Sequence, residues 1–219
     1  MTSFPGSPKL IKGGIVTLDP SSGLPRQIVV LQYNPDTLTR TLQIQGIGAE
    51  SGDRLEALRL KAPPLESIKL EAEIDASDQM EVATSGSTVA QLGIYPQLAA
   101  LEVLAYPTSA QLLDNNSQSG RGTLEIAPME APLSLFIWSQ VRVLPVRLTE
   151  FSITEEAFDP NLNPIRAKVS LGMRVLTVND LGFAHKGGNL FMAYLQQKER
   201  LVGRNVQGGL DALGLRGNP

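Results

Sequence analysis

Between Pro145 and Leu176 the chain alternates apolar and polar residues along two long arms, interrupted once by Phe158-Asp159-Pro160-Asn161-Leu162-Asn163-Pro164. Two prolines and two asparagines within that turn disfavour helix and fix where the chain reverses. The first arm reads Val146-Arg147-Leu148-Thr149-Glu150-Phe151-Ser152-Ile153, and the second reads Ile165-Arg166-Ala167-Lys168-Val169-Ser170-Leu171-Gly172-Met173-Arg174-Val175. Successive side chains of a strand point to opposite faces, so each arm offers one apolar face to a core and one to water. A hairpin with arms this long commits its chain to an antiparallel sheet. The wet face of the second arm carries Arg166, Lys168 and Arg174. That basic stripe suits contact with another subunit or an acidic partner better than a reaction centre.

The remaining strand signals fit the same sheet. Residues 9–18 and 27–33 read as a hairpin around Asp19-Pro20-Ser21-Ser22-Gly23-Leu24-Pro25, and Tyr33-Asn34-Pro35 then breaks the second strand. An extended run resumes over residues 39–45. Residues 46–64 are polar, glycine-bearing and aperiodic apart from a helical turn or two at 54–60, and read as a long loop facing a partner. Ser67-Ile68-Lys69-Leu70-Glu71-Ala72-Glu73-Ile74-Asp75 alternates cleanly, and Leu133-Ser134-Leu135-Phe136-Ile137-Trp138 is an apolar run best read as a buried strand. Trp138, the only tryptophan, is expected to fill core volume at its end.

Helical spacing is clearest over residues 95–105, with Pro96 in the first turn, and over 189–202 through Leu190, Ala193, Tyr194 and Leu201. Asp114-Asn115-Asn116-Ser117-Gln118-Ser119-Gly120-Arg121-Gly122 is poor in apolar residues and reads as a mobile loop, residues 179–188 as a linker and 208–219 as a frayed end. The expected fold is mainly β (α+β), a twisted antiparallel β-sandwich or barrel-like domain with one internal helix and a C-terminal helical tail. Residues 1–8 form a flexible N-terminus, 9–178 the β domain, and 179–219 a linker, docking helix and tail. A hydrophobic content of 42% gives ample material for one core, and Gly 20 with Pro 15 fits many turns. The tail helix is hard to bury in a β domain. It is therefore expected to dock on an adjacent protein, with Leu190, Tyr194 and Leu201 joining Arg166, Lys168 and Arg174 as subunit contacts, and truncation after Gly187 is expected to spare folding.

The inventory of chemical groups is thin. A net charge of −3 gives the chain as a whole no drive toward nucleic acid or anionic lipid. The absence of cysteine removes disulfides, thiolate nucleophiles and sulfur-ligated metals, and fits synthesis in the cytoplasm. Met1-Thr2-Ser3-Phe4-Pro5-Gly6-Ser7-Pro8 has neither the basic nor the apolar region of a signal peptide, and no apolar stretch reaches the ~18 residues that would span a bilayer. His185 is the only histidine and sits beside Lys186-Gly187-Gly188, a poor place for a catalytic triad or a metal centre. Gly120-Arg121-Gly122 lacks the lysine of a phosphate loop, and Glu71 and Glu73 share a strand face with other charges. No catalytic residue, cofactor or metal is expected. Arg142 and Arg147 extend the basic stripe, but no aromatic residues interleave with it for base stacking. Two rival classes are a carbohydrate- or peptide-binding β-sandwich using Tyr33, Tyr106 or Trp138 as a stacking platform, and a hydrolase using Glu155 or Glu156.

The order of these features resembles a known family. An early strand ends in Tyr33-Asn34-Pro35, an alternating strand follows at residues 67–75, then one helix, Phe136-Ile137-Trp138, and the hairpin turn continuing into Pro164-Ile165-Arg166-Ala167-Lys168-Val169-Ser170-Leu171. Over residues 9–178 the chain looks like the tube-associated domain of contractile injection systems, the phage-tail-like particles that drive a rigid tube through a target envelope. Members of that family commonly continue into a peptidoglycan-binding LysM module, whereas the about forty residues that follow the hairpin here read as a helix and a glycine-rich tail and do not resemble a LysM module. The resemblance implies a non-enzymatic adaptor at the baseplate or the cap. It would form a homo-oligomeric, hexameric ring that contacts the inner tube, sheath, baseplate or cap proteins. It implies no nucleic-acid partner and no direct membrane insertion, in a particle that is cytoplasmic, membrane-anchored or released. A tube-initiating or tube-terminating subunit of the same particle is the near alternative.

Overall fold

The computed structural model describes residues 10–46, 59–82, 86–120 and 131–205. Seven strands form one antiparallel sheet: β1 (Gly14–Leu18), β2 (Pro25–Val30), β3 (Leu38–Gly46), β4 (Leu60–Asp75), β5 (Ser134–Ser139), β6 (Arg142–Phe158) and β7 (Pro164–Val175). Their order across the sheet is β2-β1-β5-β6-β7-β4-β3, and the sheet does not close on itself. The expected hairpin is β6–β7, with Val146 opposite Val175 and Phe158 opposite Pro164.

The turn sequence explains itself in hydrogen bonds. The Leu162 N–H donates to the Asp159 carbonyl at 3.0 Å, and the Asp159 N–H donates to the Asn163 carbonyl at 2.9 Å. Pro160 thus sits where its fixed φ is preset, and Leu162 takes the left-handed conformation at φ 64°. The Asp159 carboxylate accepts from the Asn161 and Asn163 N–H groups at 2.7 and 2.8 Å and from the Asn163 side-chain amide at 2.8 Å. Each polar residue of the turn therefore has a partner within it.

Strand β6 serves two neighbours in succession. Its residues 142–146 pair with β5 and its residues 146–158 pair with β7, so Val146 stands opposite both Ser134 and Val175. The sheet is divided there into two halves whose inner faces share one core. Ile15, Val29, Phe136 and Leu144 come from the first half, and Ile68, Leu70, Val169, Leu171 and Met173 from the second. Side chains of this size contribute about 1.5–3 kcal/mol each on full burial, so the inward alternation read from the sequence is the main stabilising term.

At the open side a side chain does the work of a strand. The Gln32 amide donates to the Asp75 carbonyl at 2.6 Å and accepts from the Asp75 N–H at 3.0 Å, tying the chain after β2 to the end of β4. Asn34 repeats the device: it accepts from the Gly13 N–H and donates to the Ile11 carbonyl, both at 2.9 Å. Tyr33-Asn34-Pro35 is therefore a clamp on β1 as well as a strand break.

Helices differ most from the sequence expectation. Between β4 and β5 the described residues hold four helices rather than one: α1 (Ser77–Glu81), α2 (Thr88–Leu92), α3 (Tyr95–Glu102) and α4 (Ser109–Gly120). The expected helix is α3, with Pro96 in its first turn and Leu98 and Leu101 buried in the core beside Ile94. Helix α4 stands where a mobile loop was expected. Its signal was Thr108-Ser109-Ala110-Gln111, in which the Thr108 hydroxyl accepts from the Gln111 N–H and the Gln111 side-chain amide oxygen accepts from the Thr108 N–H. Arg121 and Gly122 lie outside the described residues, as does most of the expected 46–64 loop. Strand β4 begins inside that stretch and runs through Pro63 and Pro64. These are tolerated because β7 pairs with β4 only from Ser67 onward, while the register with β3 slips on both sides of Gln45. The expected linker holds α5 (Val178–Leu181), opened by a capping box between Thr177 and Asp180. It leads to the tail helix α6 (Lys186–Val202).

The hairpin turn is docked on the α2–α3 junction. The Ile94 N–H donates to the Pro164 carbonyl at 2.9 Å, and the Asn163 amide donates to the Gln91 carbonyl at 3.0 Å. Gly93 makes this approach possible: it has φ 55°, and a Cβ there would lie 2.2 Å from the Pro164 oxygen.

Two outcomes are expected. Gly93→Ala should destabilise the protein by about 1–3 kcal/mol through strain and displacement of the turn, read as a lower urea midpoint; an unchanged midpoint would contradict the docking. Three carboxyls are held below the usual carboxylate range: Asp19 chiefly by the Ser21 hydroxyl, Asp75 chiefly by Ser77, and Asp159 chiefly by the Asn163 amide. Since folding favours their ionised forms, the stability they supply is complete above the unfolded value of 3.8 and is lost as pH falls from there through the lowered folded values. Tm should drop progressively as pH falls below about 5, and Asp159→Asn should show a shallower drop over that range.

Candidate interaction surfaces

The basic stripe of β7 is present on one face, but it is spent within the chain. Arg166 pairs with Asp75 at 2.7 Å, Lys168 with Glu156 at 3.3 Å, and Arg174 with Asp180. Lys69 and Glu150 form a further pair on the same face at 2.7 Å. These are cross-strand or near-neighbour pairs exposed to solvent, each worth little to stability. Their consequence is electrical: the three cations meet a partner as half of ion pairs rather than as a free positive field. Arg166, Lys168 and Arg174 thus remain reachable at the surface without forming the bare basic stripe that the sequence suggested.

The tail helix corrects its expectation more sharply. Helix α6 packs on β6, burying Gly187, Gly188, Phe191 and Tyr194 along one face. Of the three expected contact residues, Tyr194 is only 6% exposed and belongs to the domain's own core, while Leu190 is half-buried and Leu201 faces solvent. The stripe chosen from sequence lay one helical position off, because Phe191 and two glycines define the buried face and glycine carries no hydrophobic signal. A Cβ on Gly188 would lie 2.0 Å from the Gly182 oxygen, so glycine there lets the helix start against the turn after α5. His185 caps the helix, its Nδ1 accepting from the Gly187 N–H at 3.1 Å.

A buried polar cluster fixes the far part of α6. Arg40 donates to the Tyr194 hydroxyl at 2.8 Å and to the Glu66 carboxylate at 2.7 Å. Glu66 is buried and also faces Lys198 at 3.5 Å, and the Lys198 ammonium lies 4.2 Å from the Tyr194 ring centre. One carboxylate thus meets two cations, and helix, β3 and β4 are held in one arrangement.

Two strand margins that the sequence did not single out carry exposed apolar side chains, among others spread over the helices and turns. Before Ser67 strand β4 has no β7 partner among the described residues, so its residues 60–65 and the facing part of β3 form a two-stranded ribbon. Ile44 is 74% exposed and Leu60 70% exposed on that ribbon, with Leu42 also open to solvent. At the opposite margin of the sheet, Ile28 and Val30 of β2 are 63% and 57% exposed. The alternation of Leu42-Gln43-Ile44-Gln45 was legible, but which strand margins stay uncovered is decided only by the sheet order.

The aromatic and acidic candidates divide. Trp138 is half-buried, stacked on Phe136 at 5.9 Å and pressed against Gly13, as a core filler should be. Tyr33 and Tyr106 are exposed, and Tyr106 borders a hollow of about 320 Å³ with Arg26, Gln27, Leu104 and Gln111. Glu155 and Glu156 are neighbours on a strand, so their carboxylates point to opposite faces, and Glu156 pairs with Lys168. Among the described residues no group of three His, Cys, Asp or Glu could hold a metal ion, and no helix is long and apolar enough to cross a membrane.

The buried face of α6 reverses the truncation expectation. Phe191→Ala should cost about 3–5 kcal/mol and truncation after Gly187 should cost more, whereas Leu201→Ala should change stability by less than about 0.5 kcal/mol. Denaturant unfolding of the variants checks this; equal effects at Phe191 and Leu201 would contradict the packing. Compared with known proteins, the chain matches no protein-family model, and no curated protein matches it in sequence.

Proposed function

We propose that the protein is a structural adaptor of a contractile injection system, a ring subunit that joins the inner tube to the baseplate or cap. The observation that carries this reading is the β3–β4 ribbon. An isolated two-stranded ribbon is marginal in water, and this one sets Ile44 and Leu60 in the open. Such an element gains its stability from a surface outside the domain. The neutralised charge face and the intact core support the same reading, since a ring subunit needs rigid strands and exposed margins more than a pocket with shifted titration. The order of Tyr33-Asn34-Pro35, Phe136-Ile137-Trp138 and the Asp159-Pro160 turn adds the resemblance to tube-associated domains.

A tube-initiating or tube-terminating subunit draws on the same features. The hollow beside Tyr106 favours a second reading, a sugar- or peptide-binding module, whose ligand would shift the NMR signals of Tyr106 and Gln27.

The test is cryo-electron microscopy of injection particles purified from the native host, with mass spectrometry for this chain. Ring density at the baseplate or cap is expected, with the ribbon covered by a neighbouring subunit. Ile44→Asp should leave Tm within about 2 °C of the parent, as surface substitutions do, yet remove the chain from particles. Intact particles that lack the chain would overturn the proposal.

A further inference from the structure

The two margins of the sheet are unlike, and their difference points to a mode of self-assembly. Among the described residues strand β2 is paired with β1 alone, and its Gln27 side-chain amide donates to the Ala100 carbonyl of α3 at 2.8 Å. The Leu31 N–H donates to the Gly13 carbonyl, and Val29 and Gln27 follow at two-residue intervals opposite Ile15 and Thr17. In an antiparallel pair the hydrogen-bonded positions alternate, so the N–H and C=O groups of Ile28 and Val30 turn away from β1, toward the open margin. Helix α3 runs beside that margin. Between them lies a groove of about 270 Å³ lined by Ile28, Val30, Ile74, Gln97 and Leu101 among others, with no charged side chain in its wall. The side-chain amide oxygen of Gln97 is buried there and accepts no hydrogen bond. A desolvated acceptor of that kind costs about 1–3 kcal/mol until a donor reaches it.

The other margin is the outer side of β3, which among the described residues pairs only with β4. Over residues 41–46 it reads Thr41-Leu42-Gln43-Ile44-Gln45-Gly46, without a charge. No helix of the described residues runs along it: α6 touches β3 through Arg40, on the core face. The groove therefore asks for an uncharged extended segment with free main-chain groups, and the chain carries one. Pairing β2 with a second β2 would bring two flanking α3 helices together at the same place, while β3 arrives bare.

We propose that the β3 margin of one copy enters the β2–α3 groove of the next as an added strand. Main-chain bonds form to Ile28 and Val30, the side chains of Leu42 and Ile44 cover exposed apolar surface, and an incoming N–H satisfies Gln97. Because the paired surfaces differ, the contact is head-to-tail and propagates into a ring or a filament instead of stopping at a dimer. The ring reading above rests on this contact for its closure, but the contact itself stands on the two margins.

The chain has no cysteine, so engineered pairs report cleanly. In the full-length protein, Val30→Cys with Ile44→Cys, and separately Ile28→Cys with Leu42→Cys to cover a register offset, are oxidised mildly and run without reductant. A ladder of dimers, trimers and higher species is expected from at least one double variant, with each single variant remaining monomeric. Adding Ile28→Pro to the Val30–Ile44 pair, or Val30→Pro to the Ile28–Leu42 pair, removes an outward N–H and no internal bond, and should abolish the ladder while leaving the circular dichroism spectrum unchanged. Dimers from Val30→Cys or Ile28→Cys alone would overturn the proposal in favour of a β2–β2 contact. Absence of cross-links from both double variants, with monomeric sedimentation, would overturn it outright. A ladder from a chain missing from injection particles would leave the assembly mode standing and sink the adaptor reading; presence in particles without a ladder would do the reverse.

Discussion

The fold depends on a single strand having two successive neighbours. Strand β6 is 17 residues long, and Val146 is the point at which its pairing passes from β5 to β7. In strand pairing, the β1–β2 side is joined to the β3–β4 side through that strand, and the division of pairing lets two inner faces share one core. Val146 is itself buried. A long alternating arm is therefore more than a half-buried strand: its length is what allows one sheet to supply both layers.

Where the main chain runs out of strand partners, side-chain amides and carboxylates take over. Gln32 bonds both main-chain groups of Asp75, Asn34 bonds Gly13 and Ile11, and Asp159 gathers the N–H groups of its own turn. The same logic anchors the hairpin turn to the helices through Asn163 and the Pro164 carbonyl. These contacts satisfy groups that would otherwise be stranded at strand ends, where an unpaired polar group is costly. They also explain why polar residues stand at Gln32, Asn34 and Asp159 within otherwise apolar strand signals.

Charge and apolar area are distributed in opposite ways over the surface. The cations of β7 are met by Asp75, Glu156 and Asp180, so the broad outer face of the sheet is electrically quiet. Among the strands, the apolar side chains left open at the sheet margins are Ile28 and Val30 of β2 and Leu42, Ile44 and Leu60 of the β3–β4 ribbon. A domain of this kind is suited to being built into something larger along its edges, which is the common ground of the adaptor reading and of head-to-tail strand addition.

The sequence by itself determined the hairpin, its turn, the inward set of β4 and β7, and α3 with its proline, because each follows from periodicity or turn chemistry within a few residues. It also carried, unread, the caps that open α4 and α5: Thr108 with Gln111, and Thr177 with Asp180. Three things needed the tertiary structure. Gly187 and Gly188 mark the buried face of α6 only once Leu181 and Gly182 are beside them. Arg166, Lys168 and Arg174 lose their free charge only once β4, β6 and the α5 cap supply carboxylates from elsewhere in the chain. The open margins exist only because the strand order leaves β2 and β3 last. Each of these depends on contacts between different elements, near or far in sequence, which the periodicity within one element does not encode.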